Sequence, residues 1–217
     1  EYLTYLVVNP LSSFLDQRDI IHETAHTVHF LNIKPKLNPI FHISFDPTIT
    51  DTIAILFESL FGKSGFLKKC YHIMKEESEL IVKYVQFINE YIYINHTLNF
   101  VSQFQIINEK QVLTDEIFFK AQEEYEKKHY EIFGFHRNGS DHLARELDKF
   151  FGSQYYARSY ANSINLEKKL LAEDSEWYNN KEIAIKLRDN YMEHGFSRNY
   201  EELLREWGVD PYSFPNL

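Results

Sequence analysis

The stretch of sequence that decides the fold is Asp16-Gln-Arg-Asp-Ile-Ile-His22-Glu-Thr-Ala-His26-Thr-Val-His-Phe-Leu-Asn32. It contains neither glycine nor proline, and its apolar side chains recur at three- and four-residue spacing, which is typical of a helix packed inside a protein. Asp16 is a suitable N-cap, and prolines at positions 35 and 39 break the helical periodicity after Asn32. The pattern predicts a first helix over residues 16–32.

Helical periodicity extends through most of the remaining chain. Gly and Pro are scarce, with 7 and 6 among 217 residues, so the stretches between them are long enough for helices. The segment Gly-Phe-His-Arg-Asn-Gly-Ser at 134–140 has turn chemistry and separates two helical blocks. We therefore predict an all-α, multi-helix fold. Further helices are expected from Thr48 or Thr50 to residue 61 and over residues 66–108, 114–132, 141–151, 154–173, 177–193 and 199–207.

The composition is that of a globular protein. Hydrophobic residues make up 44%, charged residues 25% and aromatic residues 16% of the chain, which excludes a disordered or low-complexity protein. The length predicts a single domain over residues 1–217. Asp and Glu total 32 against 23 Lys and Arg, a net charge of -9, which argues against a surface that neutralises nucleic-acid phosphates. We expect no nucleic-acid partner.

Cysteine content and hydropathy indicate the compartment. The single cysteine, Cys70, cannot form an internal disulfide, which favours a reducing compartment, the cytosol or the mitochondrial matrix. No stretch approaches the roughly 18 uninterrupted apolar residues of a membrane-spanning helix, so we expect no transmembrane segment. The chain begins with Glu1 instead of Met, as expected of a protein that has lost a targeting segment or of a piece of a longer chain.

The strongest chemical signal is His22-Glu23-Thr24-Ala25-His26 within the first predicted helix. A four-residue separation places both imidazoles on one helical face, one turn apart, where they can bind one Zn²⁺ ion. Glu23 lies beside them and is suited to activate a metal-bound water for amide hydrolysis. Because the pattern fixes only three residues, ordinary polar positions on an amphipathic helix also match it. A third protein ligand is still required.

Asp51 and Glu58 are the candidates for that third ligand. Their seven-residue separation corresponds to about two helical turns, so both carboxylates return to one face of the second predicted helix. From the residues alone an alternative stays open, in which Asp51 is a helix-start acid favoured by the helix dipole and Glu58 is a surface charge.

The motif segments resemble the zinc oligopeptidase family of thimet oligopeptidase and mitochondrial intermediate peptidase. The resemblance is carried first by His22-Glu-Thr-Ala-His26-Thr-Val-His29 and then by Pro47-Thr-Ile-Thr-Asp51-Thr-Ile-Ala-Ile-Leu-Phe-Glu58. It implies a zincin-like metallopeptidase catalytic region. The roles that the resemblance implies are zinc ligands for His22, His26 and Asp51, general base and acid for Glu23, and support of the ligands for Glu58 and His29.

Two later segments extend the resemblance. Residues 150–160, Phe-Phe-Gly-Ser-Gln-Tyr155-Tyr156-Ala-Arg-Ser-Tyr, are similar to the family's Gly/Tyr-rich segment, which implies that Tyr155 and Tyr156 line the substrate site. Residues 191–211 resemble the segment that closes the family's sequence. The resemblance therefore covers the C-terminal half of an oligopeptidase catalytic domain. If Glu1 is near the true start, it implies that the other wall of the substrate channel is missing or comes from another chain.

Departures from the family pattern affect residues that bind metal and substrate. Asp51 stands where the family has Glu, which shortens the reach by one methylene and predicts a shifted helix or a bridging water. Ala25 replaces a glycine, and aligning the tyrosines places Glu146 at the usual histidine and Phe151 and Arg158 at two other tyrosines. Loss of one donor from an oxyanion site costs about 10² to 10³ in turnover. Activity is therefore left open.

Two functions from different classes follow. The first is a zinc metalloendopeptidase that hydrolyses short peptides or presequence fragments. The second is a catalytically inactive, peptidase-derived structural subunit of a larger mitochondrial complex, in which other protein subunits supply the missing half. The intact His-Glu-x-x-His pattern favours a retained metal, whereas the departures favour the second function. The resemblance implies a mitochondrial location, with the cytoplasm as the alternative.

Overall fold

The structure is a computed structural model that describes residues 6–7, 14–43, 46–108, 114–138 and 152–215. Within these ranges no strand is present, and helix makes up 78% of the structure. The prediction of an all-α fold is therefore confirmed. The zincin-like architecture stays a prediction.

Eight α-helices and four short 3-10 helices are described. The α-helices are α1 (Phe14–Asn32), α2 (Pro47–Glu58), α3 (Ser64–Tyr71), α4 (Lys75–Asn108), α5 (Asp115–Phe133), α6 (Gly152–Glu173), α7 (Lys181–Asn190) and α8 (Tyr200–Glu206). The 3-10 helices are Pro39–His42, Ser59–Gly62, Trp177–Asn179 and Met192–His194. The helices predicted over 16–32, 114–132, 154–173 and 199–207 match α1, α5, α6 and α8 within two residues at each end.

Internal contacts divide the chain into two compact units. The first unit comprises residues 1–89 and 158–217, and the second comprises residues 90–157. The first unit contains α1, α2, α3, α7 and α8, whereas α4 and α6 each contribute residues to both units. The prediction of a single domain over residues 1–217 is not tested by this division.

The central helix of the first unit is α2, which packs along α1. Its N-cap is Asp46, whose side chain accepts a hydrogen bond from the backbone N–H of Thr48 at 2.9 Å, and Pro47 occupies the first helical position. The expected start at Thr48 or Thr50 is therefore wrong, because an Asp cap followed by Pro is the stronger start signal. Every residue of α2 except Pro47 and Phe57 is buried, so its polar side chains are buried with it.

The apolar core of the first unit forms around α2. Side chains of α2, α6, α7 and α8 meet in one cluster, which also contains Trp177 and against which Trp207 packs. Its fully buried members include Ile53, Leu56, Leu166, Leu170, Leu187 and Leu203. Truncation of one such leucine to alanine removes several methyl groups from a packed interior, a change that costs about 2–5 kcal/mol. This core holds α2 in place, and thereby fixes the positions of its buried carboxylates.

The long helix predicted over residues 66–108 is wrong, because the structure contains two helices there. Helix α3 ends at Tyr71, His72 adopts a left-handed conformation with φ of 55°, and α4 begins at Lys75. A left-handed residue directly after the last turn ends a helix. Gly or Asn usually takes that position, so histidine at 72 is not recognisable as a stop signal.

The helix predicted over residues 177–193 is also interrupted. Asn180 caps α7, since its side-chain oxygen accepts hydrogen bonds from the backbone N–H groups of Glu182 and Ile183 at 2.9 and 3.4 Å. Asn stabilises a helix start and competes with backbone hydrogen bonds in a helix interior. The short 3-10 helices before and after α7 account for the rest of the predicted span. The helix predicted over residues 141–151 lies outside the described residues.

The second unit contains a buried polar cluster between its part of α4 and α5. Tyr125 donates its hydroxyl proton to Asn95 Oδ1 at 2.7 Å. Arg137 donates through Nη1 to the same oxygen at 2.9 Å and to the hydroxyl oxygen of Tyr91 at 2.8 Å. These bonds hold the segment after α5, where Gly134 has φ of 74° and ends the helix in agreement with the predicted turn.

One segment of the described chain, Pro39–Gly62, is long and apolar enough to cross a membrane. Its most apolar window has a mean hydropathy of 1.2, and 56% of that window is buried inside the structure. A segment that contains a buried core helix passes the same test of length and composition, and α2, which occupies residues 47–58 of this segment, is such a helix. The expectation of no transmembrane segment stays a prediction.

Candidate metal centre

Helices α1 and α2 place two histidines and two carboxylates at one position in the first unit. His22 and His26 lie one turn apart on α1, with ring centroids separated by 4.8 Å at an interplanar angle of 76°. Asp51 and Glu58 lie two turns apart on α2 and face these imidazoles. The structure therefore brings together the two predicted histidine ligands and both candidates for the third ligand.

Three donor atoms converge with the spacing that a tetrahedral metal ion requires. Nε2 of His22 lies 3.1 Å from Nε2 of His26, and Oδ1 of Asp51 lies 3.6 and 3.3 Å from these two nitrogens. In a tetrahedral zinc site with bonds of about 2.0–2.1 Å, neighbouring ligand atoms are about 3.3–3.4 Å apart. The three residues are thus placed to hold one metal ion through three protein ligands, and zinc as that ion stays a prediction.

Asp51 reaches the histidines directly, although its side chain is one methylene shorter than that of glutamate. Its Oδ1 contact distances to His22 and His26 are already in the range of a ligand set, so neither a shifted helix nor a bridging water is needed. The Asp51 side chain is 9% exposed, whereas the histidine side chains are 18% and 20% exposed. The site is therefore closed on the α2 side and accessible on the side of the imidazoles.

Glu58 forms a hydrogen bond with His22 and is not one of the three converging donors. Nδ1 of His22 donates to Oε2 of Glu58 at 2.9 Å, and Glu58 is 3% exposed. In a neutral imidazole this hydrogen bond keeps the proton on Nδ1 and leaves the Nε2 lone pair directed at the other donors. The alternative that Glu58 is a surface charge is wrong, because the side chain is buried in an ion-paired network.

Two further residues complete this network, and the sequence analysis did not identify either. Arg18, one turn before His22 on α1, forms a buried ion pair with Glu58 Oε1. Arg18 also donates through Nη2 to the hydroxyl oxygen of Tyr160 on α6 at 3.3 Å. The positions 18, 22 and 26 share one helical face, a four-residue periodicity that could have indicated Arg18. Tyr160 is 142 residues from Arg18, and no local pattern indicates it.

The charges of this cluster shift the protonation of the metal-free site. Burial opposes the charged form of His22, but hydrogen bonds to Asp51 and Glu58 outweigh it and raise the pKa of His22 to about 9. Burial alone would raise the pKa of Asp51, yet its hydrogen bonds with His22 and His26 lower that pKa. At neutral pH the metal-free site therefore holds an imidazolium between two carboxylates.

This protonation predicts a pH-dependent metal affinity. Because a metal binds only the neutral imidazole, zinc has to displace the proton of His22 below a pH of about 9. We expect binding at pH 7 to release about one proton from His22, and the affinity to rise about tenfold per pH unit up to about pH 9 and then to level off. Calorimetry in two buffers that differ in ionisation enthalpy measures this release. Binding without proton release at pH 7 would contradict it.

Asp51→Glu is expected to weaken zinc binding. The wild-type carboxylate is buried, and its Oδ1 already lies at ligand spacing from the two histidine nitrogens. An added methylene overpacks the contact between α1 and α2 and moves the carboxylate oxygen. Metal–ligand distances tolerate a displacement of only about 0.2 Å. We expect a loss of affinity of about tenfold, measured by competition with a chromophoric chelator. Tighter binding by the variant would mean that Asp51 is too short to act as a ligand.

Arg18→Met is expected to destabilise the protein by up to about 3–5 kcal/mol, because it removes the guanidinium that pairs with the buried Glu58 carboxylate and leaves His22 as the remaining partner of Glu58. Urea unfolding measures this loss. The double variant Arg18→Met, Glu58→Met is the matched control, since it removes both charges and should lose less stability than the sum of the two single variants. Additive losses would show that the two side chains do not interact.

The remaining predicted site residues have different surroundings. Glu23 is exposed on α1. His29 is fully buried against Tyr191, at a centroid distance of 6.1 Å, and neither of its ring nitrogens has a hydrogen-bond partner in the described part of the chain. Burial lowers the pKa of His29 to about 3, so the ring is neutral. The catalytic role of Glu23 and the supporting role of His29 stay predictions.

Tyr155 and Tyr156 belong to the second unit. Their rings lie 4.4 Å apart, and Tyr156 stacks on His96 of α4 at a centroid distance of 4.7 Å. Their role in lining a substrate site stays a prediction. Tyr160, at the end of the quoted segment, contacts the network behind the candidate metal centre through Arg18.

Comparisons of the chain with protein-family models, with curated proteins and with solved structures found no match. The resemblance to the zinc oligopeptidase family therefore rests on the quoted motifs, and membership of that family stays a proposal.

Proposed function

We propose that this chain is the catalytic region of a zinc-dependent metallopeptidase that hydrolyses short peptides or presequence fragments. The observation that carries the proposal is the spacing of 3.1–3.6 Å among the donor atoms of His22, His26 and Asp51, with Glu58 bonded to the far nitrogen of His22. Three protein ligands leave one coordination position for water or substrate, which is the arrangement of a catalytic zinc site.

Zinc held by these residues supplies a Lewis acid and lowers the pKa of a bound water. Glu23 accepts the proton of the attacking water on its carboxylate and delivers it to the leaving amine nitrogen. Its exposed position, directly beside the ligand His22, is compatible with contact to an incoming peptide. Glu58 and Arg18 hold the His22 ring, so that its Nε2 keeps a fixed direction during the reaction.

The proposal is tested on the full chain after removal of metals and addition of one equivalent of Zn²⁺. We expect cleavage of a mixture of short peptides by the zinc-loaded protein, and none by the metal-free protein. Mass spectrometry of the products identifies the cleaved bonds. Failure of the zinc-loaded protein to cleave peptides that bind to it would contradict the peptidase proposal.

A second candidate function is an inactive, peptidase-derived subunit of a larger, mitochondrial assembly. Exposed apolar side chains favour it: Leu80 and Tyr84 on α4 are 72% and 44% exposed, and Met74, just before α4, is 65% exposed. Leu80 and Tyr84 are four residues apart and share a helix face. An interaction surface is a contiguous apolar patch of more than a few hundred Å², and these side chains are candidates for part of one. Size-exclusion chromatography with co-purified proteins tests whether the chain joins a larger assembly. Comparison of peptide cleavage by the wild type and by Glu23→Gln distinguishes this candidate from the peptidase.

A further inference from the structure

A cavity in the first unit shares no lining residue with the candidate metal centre. It lies between α1, α2 and α7 and has a volume of about 360 Å³. This volume falls within the range of about 300–1,000 Å³ that small-molecule pockets occupy. Its walls are aliphatic and aromatic, and they include Val28, Phe57, Trp177, Ile185, Leu187 and Met192.

The charged residues that line this cavity are both cations. Lys181 and Arg188 lie seven residues apart on α7, so they share one helix face, and both are exposed to solvent. Arg188 donates through Nε to Asp189 at 2.6 Å, which leaves the donors of its two terminal nitrogens for other acceptors. Among the described residues no carboxylate lines the cavity, although Asp and Glu outnumber Lys and Arg by 32 to 23 in the whole sequence. The charged side chains of the lining are therefore cations in an acidic protein, and Lys181 is the one of the two that does not pair with Asp189.

We propose that this cavity binds a small molecule with an apolar body and one anionic head group, such as a medium-chain fatty acid. The apolar body packs against the aliphatic and aromatic walls, which removes apolar surface from water. The head group accepts charge-assisted hydrogen bonds from Lys181 and Arg188. This inference does not depend on the proposed peptidase function, because none of the metal-site residues contributes to the cavity.

Tryptophan fluorescence reports on this cavity. Trp177 lines it, and Trp207 is the second of the two tryptophans in the chain, so Trp207→Phe leaves a single fluorophore at the site. We expect titration of this variant with decanoate to give a saturable change in emission. The titration contains EDTA, so that a carboxylate bound to metal cannot account for the signal. Decanol has the same chain length without the charge, and its affinity should be at least about tenfold lower than that of decanoate.

Variants of α7 separate the proposed site from general hydrophobic binding. Lys181→Ala combined with Arg188→Ala should weaken decanoate about tenfold. Lys186→Ala is the matched control, because Lys186 lies on the same helix and pairs with Glu173 outside the cavity, and it should leave decanoate affinity unchanged. Ala184→Phe, which fills the cavity, should abolish binding. The proposal is overturned by an absent saturable change, by equal affinities for decanoate and decanol, or by equal effects of the double variant and Lys186→Ala.

Discussion

Replacement of His22 or of His26 with alanine is expected to abolish stoichiometric zinc binding. The wild-type chain should bind about one Zn²⁺ ion, because three donor atoms lie 3.1–3.6 Å from one another. Either variant leaves two protein ligands, Asp51 and the remaining histidine. We expect the affinity to fall by at least about a hundredfold. Metal analysis after dialysis and competition with a chromophoric chelator measure both quantities.

His136→Ala is the matched control for this experiment. His136 is exposed in the second unit and stacks on Tyr130 at a centroid distance of 4.4 Å, so its loss removes an imidazole without touching α1 or α2. Its zinc content should equal that of the wild type. Unchanged metal content in His22→Ala or in His26→Ala would exclude the site, and a loss in His136→Ala would show that zinc binds elsewhere.

We expect His22→Ala and His26→Ala to remain folded, so that a loss of zinc reports the loss of a ligand. Both imidazoles are half-buried, and the Arg18–Glu58 ion pair that anchors α1 to α2 remains in each variant. His26→Ala is the cleaner of the two, since His22 also bonds to Glu58. Circular dichroism should show unchanged helix content in His26→Ala, which separates loss of a ligand from loss of the fold.

Local sequence patterns predicted the helices that depend on local chemistry. The 16–32 helix follows from apolar spacing and from the prolines that come after it, and α1 ends at Asn32 as expected. The break between α3 and α4 depends on a left-handed histidine at 72, and histidine is not a residue that usually signals this conformation in a sequence. The capping of α7 by Asn180 was recognisable in principle, because Asn is a preferred cap and a poor interior residue.

The candidate metal site could likewise be predicted only in part, because some of its contacts follow from spacing along one helix and others from the packing of two helices. The four-residue spacing of His22 and His26 suffices to place both imidazoles on one face. The approach of Asp51 to within 3.3–3.6 Å of them requires α2 to pack on α1, which no spacing along the chain reveals. The opposite burial of Glu23 and Glu58, one exposed and one ion-paired, likewise follows from which helix face meets the core.

Glu23→Gln is expected to keep zinc and the fold while it reduces peptide hydrolysis by about 10² to 10⁴. Glu23 is exposed and is not one of the three converging donors, so the amide should leave metal content, unfolding midpoint and helix content unchanged. The amide cannot accept the proton of the attacking water, and the loss should therefore appear in kcat more than in KM. Glu182→Gln, an exposed substitution of the same kind on α7, is the matched control and should retain full activity.

The two candidate functions give different results in this experiment. A peptidase shows cleavage by the zinc-loaded wild type and by Glu182→Gln, and a large loss in Glu23→Gln. A structural subunit shows no cleavage by any of the three proteins, equal zinc content, and equal association with its partner proteins. Cleavage that persists in Glu23→Gln at the wild-type rate would contradict the role of Glu23, because a site with His22, His26 and Asp51 as its ligands would then obtain its base from another residue. The kcat of these three proteins therefore decides whether the centre between α1 and α2 is used for hydrolysis.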